Sequence, residues 1–242
     1  MKKTILNWSG GKDATMALHQ LREEKDVKIV SLLTTINGER RRITMHGVHE
    51  DLLQAQIKSI GESLELMELP ENISMSKYSE ITNQVAKKHT KEGITHYAYG
   101  DINLADLRKF RDNELEKNSL TPIYPLWERP TSELATEFIN LGYKAIVVAV
   151  SSNKLDESFV GRVYDQEFIN SLPKGVDPCG ENGEFHTFVF DGPIFNTPIK
   201  LSVGEKTYQT YTPSKNDDDC FCDKPEQKEW DKGFWFCELS LN

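Results

Sequence analysis

The sequence predicts an α/β protein: a five-stranded parallel sheet over residues 1–150, followed by a smaller α+β region over residues 151–242. Three observations carry this. Short apolar, β-branched runs alternate with segments of helical period through the first 150 residues, which is the pattern of strands joined by helical crossovers. Glycines stop most of those helices. After Ser151 strand and turn signals crowd together instead. A chain of 242 residues can hold one large domain or two small ones.

Thr4-Ile5-Leu6-Asn7-Trp8 reads as the first strand, and Ser9-Gly10-Gly11-Lys12-Asp13-Ala14 turns the chain into a helix with Ala14, Leu18 and Leu21 on one face. Residues 27–36 are β-branched and mostly apolar, as a strand covered on both faces is. Residues 48–60 form a helix with Leu53, Ile57 and Ile60 on one face and Gly61 as its stop. A strand at 64–69, a helix at 76–92 ended by Gly93, and a strand at 94–99 closed by Gly100-Asp101 follow. Leu104, Leu107 and Phe110 mark the next helix, and residues 121–127 read as a proline-punctuated linker. Leu134, Phe138 and Leu141 give a further helix stopped by Gly142, and residues 143–150 are the fifth and most hydrophobic strand.

In the second region, helical pieces at 156–162 and 166–172 lead into the turn Pro173-Lys174-Gly175. Strands are expected at 185–190, 199–203 and 206–211, the last two separated by a turn at Gly204-Glu205. A polar loop at 216–219 and a final strand at 233–241 complete the chain.

A net charge of −9 argues against broad binding to nucleic acid or an anionic membrane. An anionic ligand must then be held by local donors. Arg40-Arg41-Arg42, beside Asn37-Gly38, reads either as a solvated loop or as a phosphate-facing one. No stretch has the length and apolarity to cross a bilayer, and the first residues lack a signal-peptide core, so the expected location is cytoplasmic. Cys179, Cys220, Cys222 and Cys237 lack paired C-x-x-C spacing, so free thiols are expected rather than a zinc site.

The informative segment is the glycine loop. Adjacent glycines let backbone approach an anion closely, and the start of the following helix presents free N–H groups and partial positive charge to it. Lys12 adds a full charge. The spacing is not that of a Walker A loop. In a parallel sheet such a ligand sits at the carboxyl ends of the strands, where Ser9 to Asp13, Thr34 and Thr35, and Gly100 and Asp101 fall.

This loop, Gly100-Asp101, Pro125-Leu126-Trp127, the run Cys179-Gly-Glu-Asn-Gly-Glu-Phe-His-Thr187 and residues 191–195 together resemble the diphthine–ammonia ligase family, a branch of the ATP pyrophosphatase (PP-loop) superfamily. The resemblance spans nearly the whole chain. It implies a Rossmann-like, adenine-nucleotide-α-hydrolase type of N-terminal domain and a C-terminal substrate-binding region. It also implies an activity: ATP is split between its α and β phosphates, a carboxylate is adenylated, and ammonia displaces AMP to give an amide. Ser9, Gly10, Gly11, Lys12 and Asp13 would then hold the phosphates. Asp13 has two readings of equal standing, a Mg²⁺ ligand or a cap on the helix start. Thr34, Thr35, His46, Gly100 and Asp101 are further nucleotide-side candidates.

Gly180, Glu181, Asn182, Gly183, Glu184, His186 and Thr187 are the substrate-side candidates. The two carboxylates would orient ammonia or assist Mg²⁺, and His186 would move a proton near neutral pH. Asp101, Arg108 and Arg111 are placed at the cleft rim. Two departures from the family pattern stand out. Ala14 replaces the serine that usually ends the loop, leaving Thr15 as the substitute hydroxyl. Phe185-His186-Thr187 replaces a tyrosine–glutamate–threonine form and looks like a bacterial-type branch, which implies an acceptor other than diphthine. The implied partners are ATP, Mg²⁺, ammonia and an unidentified carboxylate, with no nucleic acid or membrane, and a homodimer as candidate assembly. Two other readings use the same loop: an adenylating sulfurtransferase of the tRNA-thiolation type, in which Cys179 is a candidate reactive thiol, and a nucleotide-binding sensor without turnover.

Overall fold

The computed structural model describes residues 1–71, 73–210 and 233–242. The polar loop at 216–219, Cys220 and Cys222, and the Tyr211 end of one expected strand lie outside the described residues.

The first sheet is built from β1 (Lys2–Asn7), β2 (Val27–Asn37), β4 (Leu64–Leu69), β5 (His96–Ala98) and β6 (Thr121–Ile123), all parallel, in the spatial order β4-β2-β1-β5-β6. A two-residue β3 (Arg42–Ile43) adds antiparallel to the end of β2. The strand direction of travel reverses between β1 and β5, which defines the sheet's switch point. Side chains alternate across this sheet. Leu6, Leu32 and Ile36 enter the main core with α1 (Lys12–Glu23) and α2 (Glu50–Ile60). Ile5, Leu33 and Met67 face the opposite way, toward α3 (Met75–Lys91) and α4 (Ala105–Glu116).

The helices start where local chemistry satisfies their first N–H groups. The Ser74 hydroxyl accepts from Lys77 N at 3.3 Å and His49 Nδ1 accepts from Asp51 N at 3.3 Å. Gly61 ends α2 in the left-handed region. By contrast α1 begins at Gly11, which has no side chain to cap it.

The second sheet is antiparallel, β8-β7-β10-β9, from β7 (Lys144–Ser151), β8 (Phe185–Asp191), β9 (Leu201–Thr210) and β10 (Gly233–Leu241). The connections from β6 to β7 and from β7 to β8 carry α5 (Thr131–Asn140) and α6 (Gln166–Ser171). Helix α1 packs on β8 and α2 on β10, so these helices lie between the two sheets.

Four expectations are corrected. The strand at 143–150 belongs to the second sheet, not the first, so the first sheet closes well short of residue 150. β7 has neighbours on both edges and is buried along both faces, and a fully buried run reads alike in parallel and antiparallel sheets. The fifth parallel strand is β6, inside the expected linker. Pro122 is tolerated there because β6 is an edge strand, where a missing N–H leaves no ladder bond unmade. No helix forms over 156–162. Gly204-Glu205 is not a turn: β9 runs through it, with a register shift opposite, between Cys237 and Leu239.

Among the described residues no helix is long and apolar enough to cross a membrane.

Candidate active site

A cavity of about 450 Å³ opens at the carboxyl ends of β1 and β5, at the switch point. Trp8, Ser9, Asp13 and Ala14 form one wall, and Gly100 and Asp101 another. Thr35 and His46 close it from the β2 side, while Glu181 and His186 arrive from the second region. Residues about 170 positions apart thus share one space.

The loop after β1 is held in shape from behind. Gly10 has φ +77°, and a Cβ there would meet Gln56 Oε1 at 3.0 Å. Gln56 Nε2 donates to the carbonyls of Gly10 (3.0 Å) and Val189 (2.6 Å), while its Oε1 accepts from the Trp8 indole at 2.8 Å. Val189 N donates to Gly10 O at 2.9 Å, and Lys12 N donates to Thr187 Oγ1 at 3.0 Å. The Thr15 hydroxyl donates back to Gly11 O at 2.9 Å and is wholly buried. Thr15 therefore does not replace the missing serine in the cavity; Ala14 presents a methyl group there. Gly100 lets β5's end touch the helix start, since a Cβ would lie 2.9–3.0 Å from the Asp13–Ala14 peptide.

Lys12 is 4 % exposed. Its ammonium contacts Asp13 Oδ2 at 2.8 Å and the Cys179 carbonyl, under the rings of Phe185 and Tyr164. Burial works against this charge, yet Asp13, Cys179 and Glu181 raise its pKa above the ordinary value. Lys12 thus joins the glycine loop to the 177–181 turn.

Three carboxyl groups face the cavity at its strand-end side. Burial raises the pKa of Asp13 despite Lys12, and raises that of Asp101 despite Arg111, whose Nη1 lies 3.2 Å from Asp101 Oδ2. Glu181 is also raised by burial, although its Oε1 accepts from the N–H groups of Ile102 (2.9 Å) and Asn103 (2.8 Å). Glu181 so links the second-region motif to the loop after β5.

Glu184 does not join them. It is 1 % exposed and accepts from Asp177 N (3.2 Å), Asn182 N (2.9 Å) and Asn182 Nδ2 (3.1 Å). Its carboxylate, with Asn182, closes the turn; Gly183 takes a left-handed conformation in that turn.

His186 lines the cavity, but its Nε2 is buried without a hydrogen-bond partner. Its ring lies 4.6 Å from that of His46, whose Nδ1 meets the Thr187 carbonyl at 3.2 Å. Burial pushes His46 down to about 4 and His186 well below its ordinary value. Burial thus disfavours the cationic form of both rings.

Other candidates move. Thr34 is buried, with its hydroxyl donating to Trp8 O at 2.7 Å inside the sheet; Thr35, one residue on and therefore on the other face, reaches the cavity. Arg108 stacks on Trp127 and Tyr124 outside the cavity, its guanidinium carbon 4.4 Å from the Trp127 ring centroid. Arg111, one helical turn along, is the arginine that meets Asp101. The Arg40–Arg42 run is engaged in ion pairs: Arg40 with Glu71, Arg41 with Glu50 and Glu68, Arg42 with Glu238. Cys179 is buried, and that burial pushes its thiol up to about 12.

Gln56 and Asp177 escaped the sequence reading. Asp177 Oδ1 accepts from Cys179 N at 2.8 Å and Oδ2 from the Thr131 hydroxyl at 2.7 Å. A glutamine next to Ile57 on the apolar face of α2 was the available signal for the first.

Among the described residues no group of three His, Cys, Asp or Glu is set to hold a metal. An all-protein cation cage is thus absent from them. Asp13, paired with Lys12, and Asp101, paired with Arg111, are the strand-end carboxylates that would meet a Mg²⁺ bringing phosphate ligands of its own.

A parallel sheet with a glycine loop feeding a helix at its switch point defines a Rossmann-like α/β protein. The chain belongs to the diphthamide synthase family: residues 1–119 match its N-terminal domain and residues 130–215 its C-terminal domain. Diphthine–ammonia ligase of Homo sapiens is 30% identical over 170 residues, covering 68% of this chain and 58% of the relative. The Bos taurus protein of that name is 33% identical over 132 residues, covering 52% and 48%. The chain thus spans roughly half the length of these curated relatives. A solved structure from Methanocaldococcus jannaschii, described as a predicted subunit of tRNA methyltransferase, aligns at TM-score 0.41 and 15% identity over 61% of this chain and 78% of that one.

Proposed function

We propose that the chain is an ATP-dependent ligase that activates a carboxylate as its adenylate and converts it to an amide with ammonia, releasing AMP and pyrophosphate. The observation that carries this reading is the meeting of Ser9 and Asp13 from the glycine loop with Glu181 and His186 from the second-region motif in one cavity. A ligase needs both halves: a place where phosphates are held and a place where a nucleophile is deprotonated.

The α1 start supplies N–H donors to the triphosphate. Substrate carboxylate oxygen bonds to the α-phosphorus as pyrophosphate leaves, and positioning carries most of that step. Mg²⁺, held by Asp13 with Asp101 beside it, would neutralise developing phosphate charge. Ammonia then attacks the acyl carbon, a proton is lost, and AMP departs. Glu181, with a raised pKa and one oxygen fixed by two N–H groups, is suited to take that proton. The neutral, unpartnered Nε2 of His186 faces the same space.

The acceptor is read as other than diphthine, on the Phe185-His186-Thr187 departure. The thiolation reading is less favoured, because burial that pushes the Cys179 thiol up to about 12 works against the thiolate it needs. ATP·Mg²⁺ with ammonium and pooled metabolite carboxylates should yield pyrophosphate and AMP. Asp13→Asn should cut that yield at least 100-fold while leaving Mg²⁺-free AMP binding within about threefold, on the scale expected for loss of one electrostatic element. No pyrophosphate under any condition returns the chain to a nucleotide-binding sensor.

A further inference from the structure

The cavity continues beyond the phosphate side. It passes under the sheet, between the inner faces of Tyr97 and Tyr99 and the helices α3 and α4. There its walls are Tyr78, Thr82 and Val85 from α3 and Leu107 and Phe110 from α4. Arg111 stands at the junction with the strand-end space. Its guanidinium stacks 4.1 Å from the Tyr99 ring centroid and meets Asp101 with one nitrogen. A guanidinium has five donors, so capacity remains for a carboxylate. At the far end lie Asn83, Glu114 and Asn118. Asn118 is 7 % exposed, and its Oδ1 is buried without a hydrogen-bond partner. An unpaired acceptor in a half-apolar chamber is what a ligand's donor group would satisfy.

We propose that this inner compartment is the acceptor subsite, and that it takes a small monocarboxylic acid with an apolar or aromatic body and a hydrogen-bond donor at its far end. The inference rests on the ligase reading and narrows its substrate class. Arg111 recognises the carboxylate and delivers it toward the phosphates; the aromatic and aliphatic walls cover the body; Asn118 meets the tail.

The probe is 3-phenylpropanoate, with 3-phenylpropanol as its uncharged match, each titrated by ligand-observed NMR into protein carrying a non-hydrolysable ATP analogue and Mg²⁺. Nucleotide affinity is measured separately by calorimetry. The acid should bind saturably and the alcohol at least tenfold more weakly. Thr82→Phe and Leu107→Trp, which fill the compartment from opposite helices, should each weaken the acid at least tenfold while nucleotide affinity stays within threefold. Arg111→Gln should erase the preference for acid over alcohol. Absence of acid binding by the loaded protein overturns the proposal, as does retention of it in both filled variants that remain folded by circular dichroism. A tenfold loss of nucleotide affinity in those variants assigns the compartment to the nucleotide base and also overturns it. Failure of the unmodified protein to bind the nucleotide instead removes the ligase reading itself.

Discussion

His46 and His186 show how burial sets chemistry one residue at a time. Each ring is partly withdrawn from water, and each lies near the other and near Lys12, so the cationic form is disfavoured twice. The native state therefore binds fewer protons than the unfolded chain around pH 5. Stability from this source is complete above an unfolded histidine pKa of about 6.5 and is lost as pH falls toward about 4. His46 alone accounts for up to about 3 kcal/mol across that window, at about 1.4 kcal/mol for each pKa unit. Urea midpoints measured at pH 7 and pH 5 should show this loss, and His46→Gln/His186→Gln should flatten it. A double variant that keeps the full drop would place the titration elsewhere.

The glycine loop with α1 and the turn at 177–184 are the two elements that make the site, and they differ in how openly the sequence announces them. The loop was legible because its glycines fall between a strand and a helix whose apolar period is clear: Ala14, Leu18 and Leu21 are all buried. The turn was legible as a place but not in its orientation. Glu181 and Glu184 look equivalent in sequence, yet one faces the cavity and the other bonds its own turn, because the left-handed Gly183 turns the chain between them. β6 was missed for a different reason: three residues with a proline carry too little pattern to be seen without the neighbouring strand. Gln56, holding Trp8, Gly10 and Val189 together, shows that a polar residue on an apolar helix face can be a joint. For the turn, Glu184→Gln should cost about 1–3 kcal/mol, since an amide nitrogen cannot accept from Asp177 or Asn182. Hydrogen exchange should accelerate at Asp177 and Asn182 and leave α2 unchanged. Unaltered exchange in the turn would mean that Asp177 holds it alone.

At the scale of the molecule, the question is whether the two sheets form separate bodies. One apolar core runs from Leu6 and Leu32 of the first sheet through Leu18 and Leu53 to Val147 and Phe188 of the second. Polar joints cross the same boundary: Val189 N to Gly10 O, Lys12 N to Thr187 Oγ1, Asn196 N to Ser59 O at 2.9 Å and the Ser59 hydroxyl to Thr197 O at 2.5 Å. Removing the second region would expose the faces of α1 and α2 that it covers and leave the Gly10 loop without half its supports. The chain should therefore unfold as one cooperative unit. Far-ultraviolet circular dichroism and tryptophan fluorescence should give one midpoint, with calorimetric and van't Hoff enthalpies equal. A fragment of residues 1–130 should give no cooperative transition. Two resolved transitions, or a fragment that melts sharply, would show that the site is assembled by docking two stable halves. ATP affinity would then depend on that docking equilibrium rather than on the loop alone.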